Sequence, residues 1–391
     1  MDEKRIFMDH AAGCAVDARV LSAMLPYFGG EYGNPSSLYA EGVRARRALD
    51  EAREGAAACL GAHPDEIYFT SGGTESDNWA IRCGAGKGRI LTSELEHPAV
   101  RETALSMATA GRHVTMLPVL PRGTICTDAL SRELAAGDCS LLTLMYANHE
   151  TGVLQPIEQA AELARAAGVR ILCDAVAAAP TQRIDAHALG VDYLSVSGHK
   201  LGAPRGVGIL YARRGTDPAP LLTGGGQEMG RRSGTESVAL AVGMSTALAM
   251  AAEGREEKAK KLRQLSALLL DGLLAIPGVT VNGWADAALQ LPGTVNVSVD
   301  CVSGASLVLW LDRHGICVSA GSACSSAGTR PSKVLLSMGR DKESAMSAIR
   351  YSLGAENTFA EVERTLAVTV QGVRKLRSLD LRGSVLYPEL G

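Results

Sequence analysis

Short apolar runs and amphipathic helical patterns alternate along the first half of the chain. Each apolar run spans four to seven residues, which is typical of a buried strand. The predicted strands are Glu66–Thr70, Arg89–Thr92, His113–Leu117, Ser140–Tyr146, Arg170–Asp174, Tyr193–Ser197 and Gly208–Tyr211. Helical patterns such as Ile157–Ala167 lie between most of them. This alternation predicts an α/β fold with a mainly parallel sheet that helices cover on both faces.

The two ends of the chain add further elements. We predict a short strand at Ile6–Asp9 and helices at Asp17–Phe28 and Glu41–Leu60. A charged, then apolar, helix at Glu253–Ala275 leads into a second, smaller α/β domain. The elements predicted for that domain are the strands Val279–Asn282 and Thr294–Val299 and the helices Ser306–His314 and Phe359–Arg377.

Composition and charge exclude several classes of function. The 391 residues carry a net charge of -3, which gives no electrostatic support for nucleic acid or membrane-surface binding. The apolar run Val238–Ala252 is too short to span a bilayer and suits a buried helix. Nine scattered cysteines contain no CxxC pair, and the first residues lack the pattern of a signal peptide. We therefore expect a cytoplasmic protein with reduced thiols.

Small and polar residues follow one predicted strand in a pattern suited to phosphate. Gly72 and Gly73 let the backbone approach a ligand, and Thr74 can cap the next helix, whose first amides would face an anion. The same pattern is also typical of an ordinary Gly-Gly turn that precedes a capped helix and binds no ligand. Both interpretations remain open at this point.

Three further side chains stand at strand ends with more than one possible role. Asp174 ends an apolar strand, so it either faces a cation or donors, or caps a neighbouring turn. Lys200 follows another apolar strand and suits Schiff-base chemistry, but a lysine at a surface strand exit has the same local sequence. His97 fits either catalysis or a structural hydrogen bond.

One cysteine lies within a tract of small residues. Val318–Ser332 consists mainly of Ser, Ala and Gly around Cys324, and such side chains cannot pack a core. The tract predicts a flexible loop. On this pattern alone the thiol is either incidental or a mobile reactive group.

These segments together resemble cysteine desulfurases of the NifS/IscS type, which are pyridoxal-phosphate (PLP) enzymes of the class V aminotransferase family. The resemblance runs from Asp9 to Gly354. The motifs that carry it are Gly33-Asn-Pro-Ser-Ser37, Thr70-Ser-Gly-Gly-Thr-Glu-Ser-Asp-Asn78, Glu96-His97, Asp174-Ala175, Ser197-Gly-His-Lys200, Arg232-Ser-Gly-Thr235 and Gly321-Ser-Ala-Cys324.

The resemblance implies PLP fold type I. A large PLP-binding domain with a seven-stranded sheet would span residues 14–255, and a small domain with the cysteine loop would comprise residues 1–13 and 256–391. The cofactor would bind covalently to Lys200, pair its ring nitrogen with Asp174 and stack on His97. The remaining implied contacts are Gly73, Thr74, Ser197 and His199 with the phosphate, Asn148 with the phenolic oxygen, Thr235 with the phosphate of the partner subunit in a homodimer, and Arg350 and Asn34 with the substrate carboxylate.

The implied reaction converts L-cysteine to L-alanine. Cys324 would be the nucleophile that takes the sulfur as a persulfide and delivers it to a protein acceptor, for iron–sulfur cluster assembly or for thio-cofactor or tRNA modification. Two alternatives remain: a related lyase such as one acting on selenocysteine, and a sulfur-relay or scaffold protein without PLP chemistry.

Three positions depart from the family pattern. Ala177 replaces a glutamine that hydrogen-bonds the phenolic oxygen, and His149 replaces the second asparagine of Asn-Asn-Glu. One lost hydrogen bond costs about 0.5–1.5 kcal/mol, so we expect an altered cofactor and not an inactive enzyme. Cys14 near the start is either a second reactive thiol or a buried structural one.

Overall fold

The computed structural model describes residues 5–283, 286–320 and 330–379. Its strands in chain order are β1 (Ile6–Phe7), β2 (Ile67–Thr70), β3 (Arg89–Ser93), β4 (Val114–Leu117), β5 (Cys139–Met145), β6 (Arg170–Asp174), β7 (Tyr193–Ser197), β8 (Gly208–Ala212), β9 (Val279–Val281), β10 (Thr294–Val299), β11 (Ile316–Cys317), β12 (Ser319–Ala320) and β13 (Ala348–Ser352).

The α-helices lie between and after these strands. They are α1 (Ala18–Met24), α2 (Ala40–Leu60), α3 (Gly73–Trp79), α4 (Pro98–Thr109), α5 (Thr127–Ala135), α6 (Ile157–Ala166), α7 (Ala186–Leu189), α8 (Val238–Ala252), α9 (Arg255–Leu274), α10 (Gly304–Arg313), α11 (Lys333–Ser337), α12 (Lys342–Met346) and α13 (Phe359–Leu379). A π-helical segment, Ala80–Gly84, continues α3 without a break.

A seven-stranded sheet forms the centre of the larger part, with strand order β2-β8-β7-β6-β5-β3-β4. The strands from β7 to β4 run parallel, and β8 pairs antiparallel with both β7 and β2. Every residue of β2, β7 and β8 is buried, as expected for strands covered on both faces. The predicted α/β fold with a mainly parallel seven-stranded sheet is confirmed.

A second, antiparallel sheet has the order β12-β13-β10-β9, and β1 pairs with β11 beside it. A separate apolar cluster joins Ile6 and Met8 of the N-terminal segment to α9, β10, α10 and α13. The N-terminal residues thus pack with the C-terminal part of the chain. Asp9 also forms an isolated parallel β-bridge with Ser352, the last residue of β13.

Several predicted boundaries differ from the structure. The helix predicted at Asp17–Phe28 ends at Met24 and continues as a 3₁₀ turn, because Pro26 has no N–H to donate. The sequence analysis did not identify β13. Its buried residues have Arg350 at the centre, which interrupts the apolar pattern of a buried strand. Among the described residues, no helix is long and apolar enough to cross a membrane.

Candidate active site

One cavity of about 1090 Å³ opens where the parallel strands end. Ligands in open α/β sheets gather beyond the carboxyl ends of the strands. The predicted site residues that line this cavity are Gly73, Thr74, His97, Asn148, Asp174, Ser197, His199, Lys200 and Arg350. They come from six separate stretches of the chain.

Asp174 lies at the end of β6 and is buried. Its Oδ1 accepts a hydrogen bond from the Val176 N–H at 2.9 Å and a longer one, 3.5 Å, from Ser195 Oγ. Burial raises the pKa of Asp174, and nearby His97 and Lys200 oppose that rise. A buried carboxyl group with few donors is suited to pair with a cationic ligand.

Lys200 ends the 3₁₀ turn that follows β7. Its Nζ donates to the carbonyl oxygen of Ala11, so the N-terminal segment covers the lysine from one side. The Cys14 N–H donates to the His199 carbonyl at 2.8 Å, and Cys14 Sγ lies 3.5 Å from the Lys200 carbonyl. Burial raises the pKa of the Cys14 thiol, which favours the protonated, unreactive form.

His97 is the N-cap of α4. Its Nδ1 accepts from the Ala99 N–H at 3.1 Å, which leaves the proton of the neutral ring on Nε2. Burial lowers the pKa of His97, although Asp174 opposes this effect. The ring of His149 packs edge-on against His97 with 5.1 Å between ring centroids. His97 is thus a neutral imidazole with a fixed tautomer and a supported ring plane.

The residues predicted to hold a phosphate lie together where α3 begins and β7 ends. Gly72 has a φ of 152°, which favours glycine, and a Cβ on Gly73 would lie 2.8 Å from Val176 Cγ2. Ser197 Oγ and His199 Nδ1 hydrogen-bond at 2.8 Å. Burial, with Lys200 nearby, lowers the pKa of His199 to about 4, so its ring is neutral at physiological pH.

Arg350 is 2% exposed at the centre of β13. Its Nη2 donates to Asp9 Oδ1 at 2.7 Å and its Nη1 to the His149 carbonyl at 2.9 Å. Its Nε has no hydrogen-bond partner among the described residues. Asp9 was missed as a site residue by the sequence analysis, although it was visible as an acidic residue at the end of the first predicted strand. The guanidinium is held in place and retains donors for a carboxylate.

The side chain of Asn148 is used within the protein. Its Oδ1 accepts from the backbone N–H groups of Glu150 and Thr151, both at 2.9 Å, and its Nδ2 donates to the Leu95 carbonyl at 3.0 Å. A bond from Asn148 to the phenolic oxygen of a cofactor therefore stays a prediction. The next side chain, His149, is 19% exposed at the cavity wall.

Two predicted residues lie outside this cavity, and one lies outside the described residues. Asn34 is exposed, and its Oδ1 accepts from the Ser36 N–H at 2.9 Å. Thr235 is also exposed. The single chain does not bring either of them to the cavity. Cys324 belongs to residues 321–329, which the structure does not describe.

Two buried acids beside Asp174 were not identified from the sequence, although both stand in motifs quoted above. Burial raises the pKa of Glu96 to about 8, and Asp174 adds to the rise. Burial and the neighbouring Asp174 also raise the pKa of Asp77 well above its usual range. This wall of the cavity therefore holds three carboxyl groups whose burial disfavours ionisation.

The cavity has the donors and acceptors that PLP requires. Its lining includes buried polar atoms without a hydrogen-bond partner among the described residues, namely Asp77 Oδ1, Glu96 Oε2, His149 Nδ1, Thr181 Oγ1 and Arg350 Nε. Such atoms are rare in folded proteins unless a ligand or water meets them. Lys200, the buried Asp174 and the glycine turn at the start of α3 fit the aldehyde, ring nitrogen and phosphate of the cofactor. Across the part of the chain that is described, no cluster of three or more metal-ligating side chains was found.

Comparisons with known proteins agree with this arrangement. The model of the aminotransferase class-V family matches residues 6–365. A cysteine desulfurase IscS of Methanosarcina thermophila is 42% identical over 97% of this chain and 94% of its own length. A solved structure of a NifS-like protein superposes with a TM-score of 0.87 at 36% identity, covering 93% of this chain and 98% of that one.

A further solved structure, SspA in complex with cysteine, superposes with a TM-score of 0.77 at 30% identity. It covers 91% of this chain and all of the solved chain. The family model and the near full-length identity lead to one conclusion. This chain belongs to the aminotransferase class-V family.

Proposed function

We propose that this protein is a PLP-dependent cysteine desulfurase that converts L-cysteine to L-alanine and passes the sulfur on as a persulfide. One observation carries the proposal. Lys200, Asp174 and His97 come from three different segments and line a single cavity that Arg350 also lines. The similarity to desulfurases over nearly the whole chain supports the same activity.

When bound, PLP supplies an electron sink that stabilises negative charge at the substrate α-carbon. Lys200 would hold the cofactor covalently, and Asp174 would keep its ring nitrogen protonated. Gly73, Thr74, Ser197 and His199 would hold the phosphate. Gly73 and Thr74 begin α3, Ser197 ends β7 and His199 follows it, and all four line the cavity, which supports this role.

Arg350 would bind the substrate carboxylate through Nε and its remaining hydrogens, since Asp9 and the His149 carbonyl already fix its orientation. The amine of Lys200, once displaced by the substrate amine, would move the α-proton. His97 would support the ring face and can donate from Nε2.

Cys324 would be the nucleophile. Its thiolate attacks the substrate sulfur, so that an S–S bond forms as the C–S bond breaks. The electron pair of the C–S bond stays with the substrate β-carbon. That carbon takes a proton, and the product is alanine. The described flanks support the assignment: β12 ends at Ala320 and pairs with β13 beside Arg350, and Ser332 Oγ donates to Glu150 Oε2 at 2.5 Å.

Exchange of single cysteines tests this role. We expect Cys324→Ala to retain the cofactor absorbance but form no persulfide from L-cysteine. Cys14→Ala, at the cavity wall, and Cys301→Ala, away from it, should both form persulfide. Persulfide formation by Cys324→Ala at the wild-type rate would refute the nucleophile, and a protein that cannot bind PLP would refute the enzymatic function.

We further propose that the protein is a cytoplasmic homodimer and that it passes its sulfur to an acceptor protein. Exposed apolar side chains, here called the 21–43 surface, lie on both sides of Asn34 in the sequence. They are Leu21, Leu25, Phe28, Tyr32, Leu38, Tyr39 and Val43. Exposed apolar surfaces of this kind typically mark protein interfaces. No disulfide bond joins any of the eight described cysteines, which supports a reducing compartment.

A further inference from the structure

An ion pair lies beside the proposed phosphate site. Glu75 belongs to the first turn of α3, directly after Thr74. Arg232 binds it through two donors, with Nε 2.8 Å from Oε1 and Nη2 3.1 Å from Oε2. Only 13% of the Glu75 side chain and 23% of the Arg232 side chain are exposed. Glu75 Oε2 also accepts from the Ser71 N–H at 2.9 Å, so the carboxylate ties the two ends of the glycine turn together.

The charge of Glu75 needs compensation at this position. A carboxylate one residue from Thr74 would repel a phosphate dianion, and partial burial weakens screening by water. Burial alone would raise the pKa of Glu75, but hydrogen bonds from Arg232 and Ser71 outweigh it, and the pKa lies below its usual value. Glu75 is therefore ionised, and Arg232 is the cation that balances it.

The same arginine belongs to the segment that carries Thr235. Arg232 precedes Thr235 by three residues, and the Gly234 N–H donates to Gln227 Oε1 at 3.0 Å. Glu228, which follows Gln227, is buried and pairs with both Nη atoms of Arg53 at 2.7 and 2.8 Å. The segment is thus fixed at its start by Glu228 and near Thr235 by Arg232.

We propose that the Glu75–Arg232 ion pair positions phosphate-binding groups for both sites of the homodimer. Through Glu75 it shapes the Ser71–Thr74 turn of its own site. Through Arg232 it sets the position from which Thr235 reaches the phosphate in the partner subunit. The inference rests on the proposed PLP-binding homodimer and adds two positioning residues to it.

Cofactor affinity gives a readout that does not depend on turnover. Cofactor-free protein is titrated with PLP and the absorbance of the bound cofactor is followed. Arg232→Gln leaves the Glu75 charge uncompensated, so we expect affinity to fall about tenfold or more. In the double variant Glu75→Gln with Arg232→Gln the repulsion is removed, and part of that loss should be recovered.

Arg89→Gln is the matched control. The Arg89 side chain is 11% exposed, its Nε binds Asp138 at 2.9 and 3.1 Å, and it also pairs with Glu133. Arg89 begins β3 and does not line the cavity. This variant should bind PLP as the wild type does. Equal losses in Arg89→Gln and Arg232→Gln, or no loss in Arg232→Gln, would overturn the proposal.

Mixed dimers separate the two roles, because Lys200→Ala silences the absorbance of one site. An Arg232→Gln subunit paired with a Lys200→Ala subunit reports the effect on its own site. A subunit carrying both substitutions, paired with a wild-type subunit, reports the effect through Thr235 on the partner's site. We expect weaker binding in both dimers. Wild-type affinity in the second dimer would overturn the link through Thr235. A monomeric wild-type protein would instead refute the proposed homodimer, and an inability of the wild type to bind PLP would refute the proposed function.

Discussion

At the scale of single residues, the acids beside Asp174 are the least expected feature of the cavity. Glu96 is 2% exposed; its Oε1 accepts from the Met145 N–H at 2.9 Å, but its Oε2 has no partner among the described residues. An ionised carboxylate there would be costly, so burial favours the protonated form. With a pKa of about 8, Glu96 is mainly protonated at neutral pH in the cofactor-free protein.

Glu96→Gln tests this protonation state in the cofactor-free protein. The folded-state pKa of about 8 lies above the ordinary 4.5, so the stabilising effect of the protonated group is complete below pH 4.5 and is lost as the pH rises through 8. The free energy of unfolding of the wild type should therefore fall relative to the variant over this window, by roughly 2–5 kcal/mol. Denaturant melts at a series of pH values measure the difference. Parallel curves would show that Glu96 is ionised throughout.

Site residues at strand ends were accessible from sequence to different degrees. Asp174 and Lys200 could be identified because each follows an apolar strand, and the structure places both at the cavity. The partners of Arg350 could not, since the contact with Asp9 joins residues 341 positions apart. Asn148 shows a second limit, because a motif gives the residue type but not which of its polar atoms the protein already uses.

At the scale of elements, the close approach of β8 to the phosphate turn is the main constraint. A Cβ on Gly208 would lie 2.6 Å from Gly72 Cα and 2.8 Å from the Val196 carbonyl oxygen. Both neighbours are backbone atoms and cannot rotate away. The first residue of β8 therefore has to be glycine for Gly72 to hold its position.

Gly208→Ala should displace the turn at Gly72. We expect a loss of about 1–3 kcal/mol in the free energy of unfolding, together with weaker PLP binding, because overpacking shifts the backbone. Gly30→Ala is the comparison for folding stability, since its Cβ would meet nothing closer than 4.0 Å. Thermal melts and PLP titrations measure both effects; an unchanged PLP affinity in Gly208→Ala would contradict this explanation.

The elements themselves were predicted best where burial alone determines the pattern. Strands such as β6 and β7 are largely buried and match their predicted bounds. β13 was missed because its central residue is a buried arginine. Arg350 forms an ion pair with Asp9 of another segment, and local periodicity does not show such a contact. Short β11 and β12 depend on pairing with distant strands and leave little local signal.

At the scale of the whole molecule, we propose a large domain of residues 14–255 and a small domain of residues 1–13 and 256–391. The separate cluster that joins Ile6 and Met8 to the C-terminal elements supports this division. Polar contacts connect the two parts at the cavity. They include the Asn296 side chain on the Glu150 carbonyl and Arg350 on the His149 carbonyl. Arg350, the proposed ligand of the substrate carboxylate, thus lies where the two parts meet.

The proposed homodimer predicts the effect of a charge on the 21–43 surface. Leu38 is 96% exposed in the single chain, so Leu38→Asp should convert a dimer to monomers and weaken PLP binding by removing the contact of Thr235. Leu309→Asp is the control, because Leu309 is 64% exposed but lies on α10. Sedimentation equilibrium measures the mass. A dimeric Leu38→Asp protein would place the interface elsewhere.

The central claim is that sulfur from L-cysteine is transferred to Cys324. The most direct measurement is the mass of alkylated peptides after the PLP-bound protein has reacted with L-cysteine. We predict that the peptide with Cys324 gains one sulfur atom while alanine forms, and that the peptides with the other eight cysteines do not. Alanine formation with the added sulfur on another cysteine, or with no persulfide at all, would contradict the account.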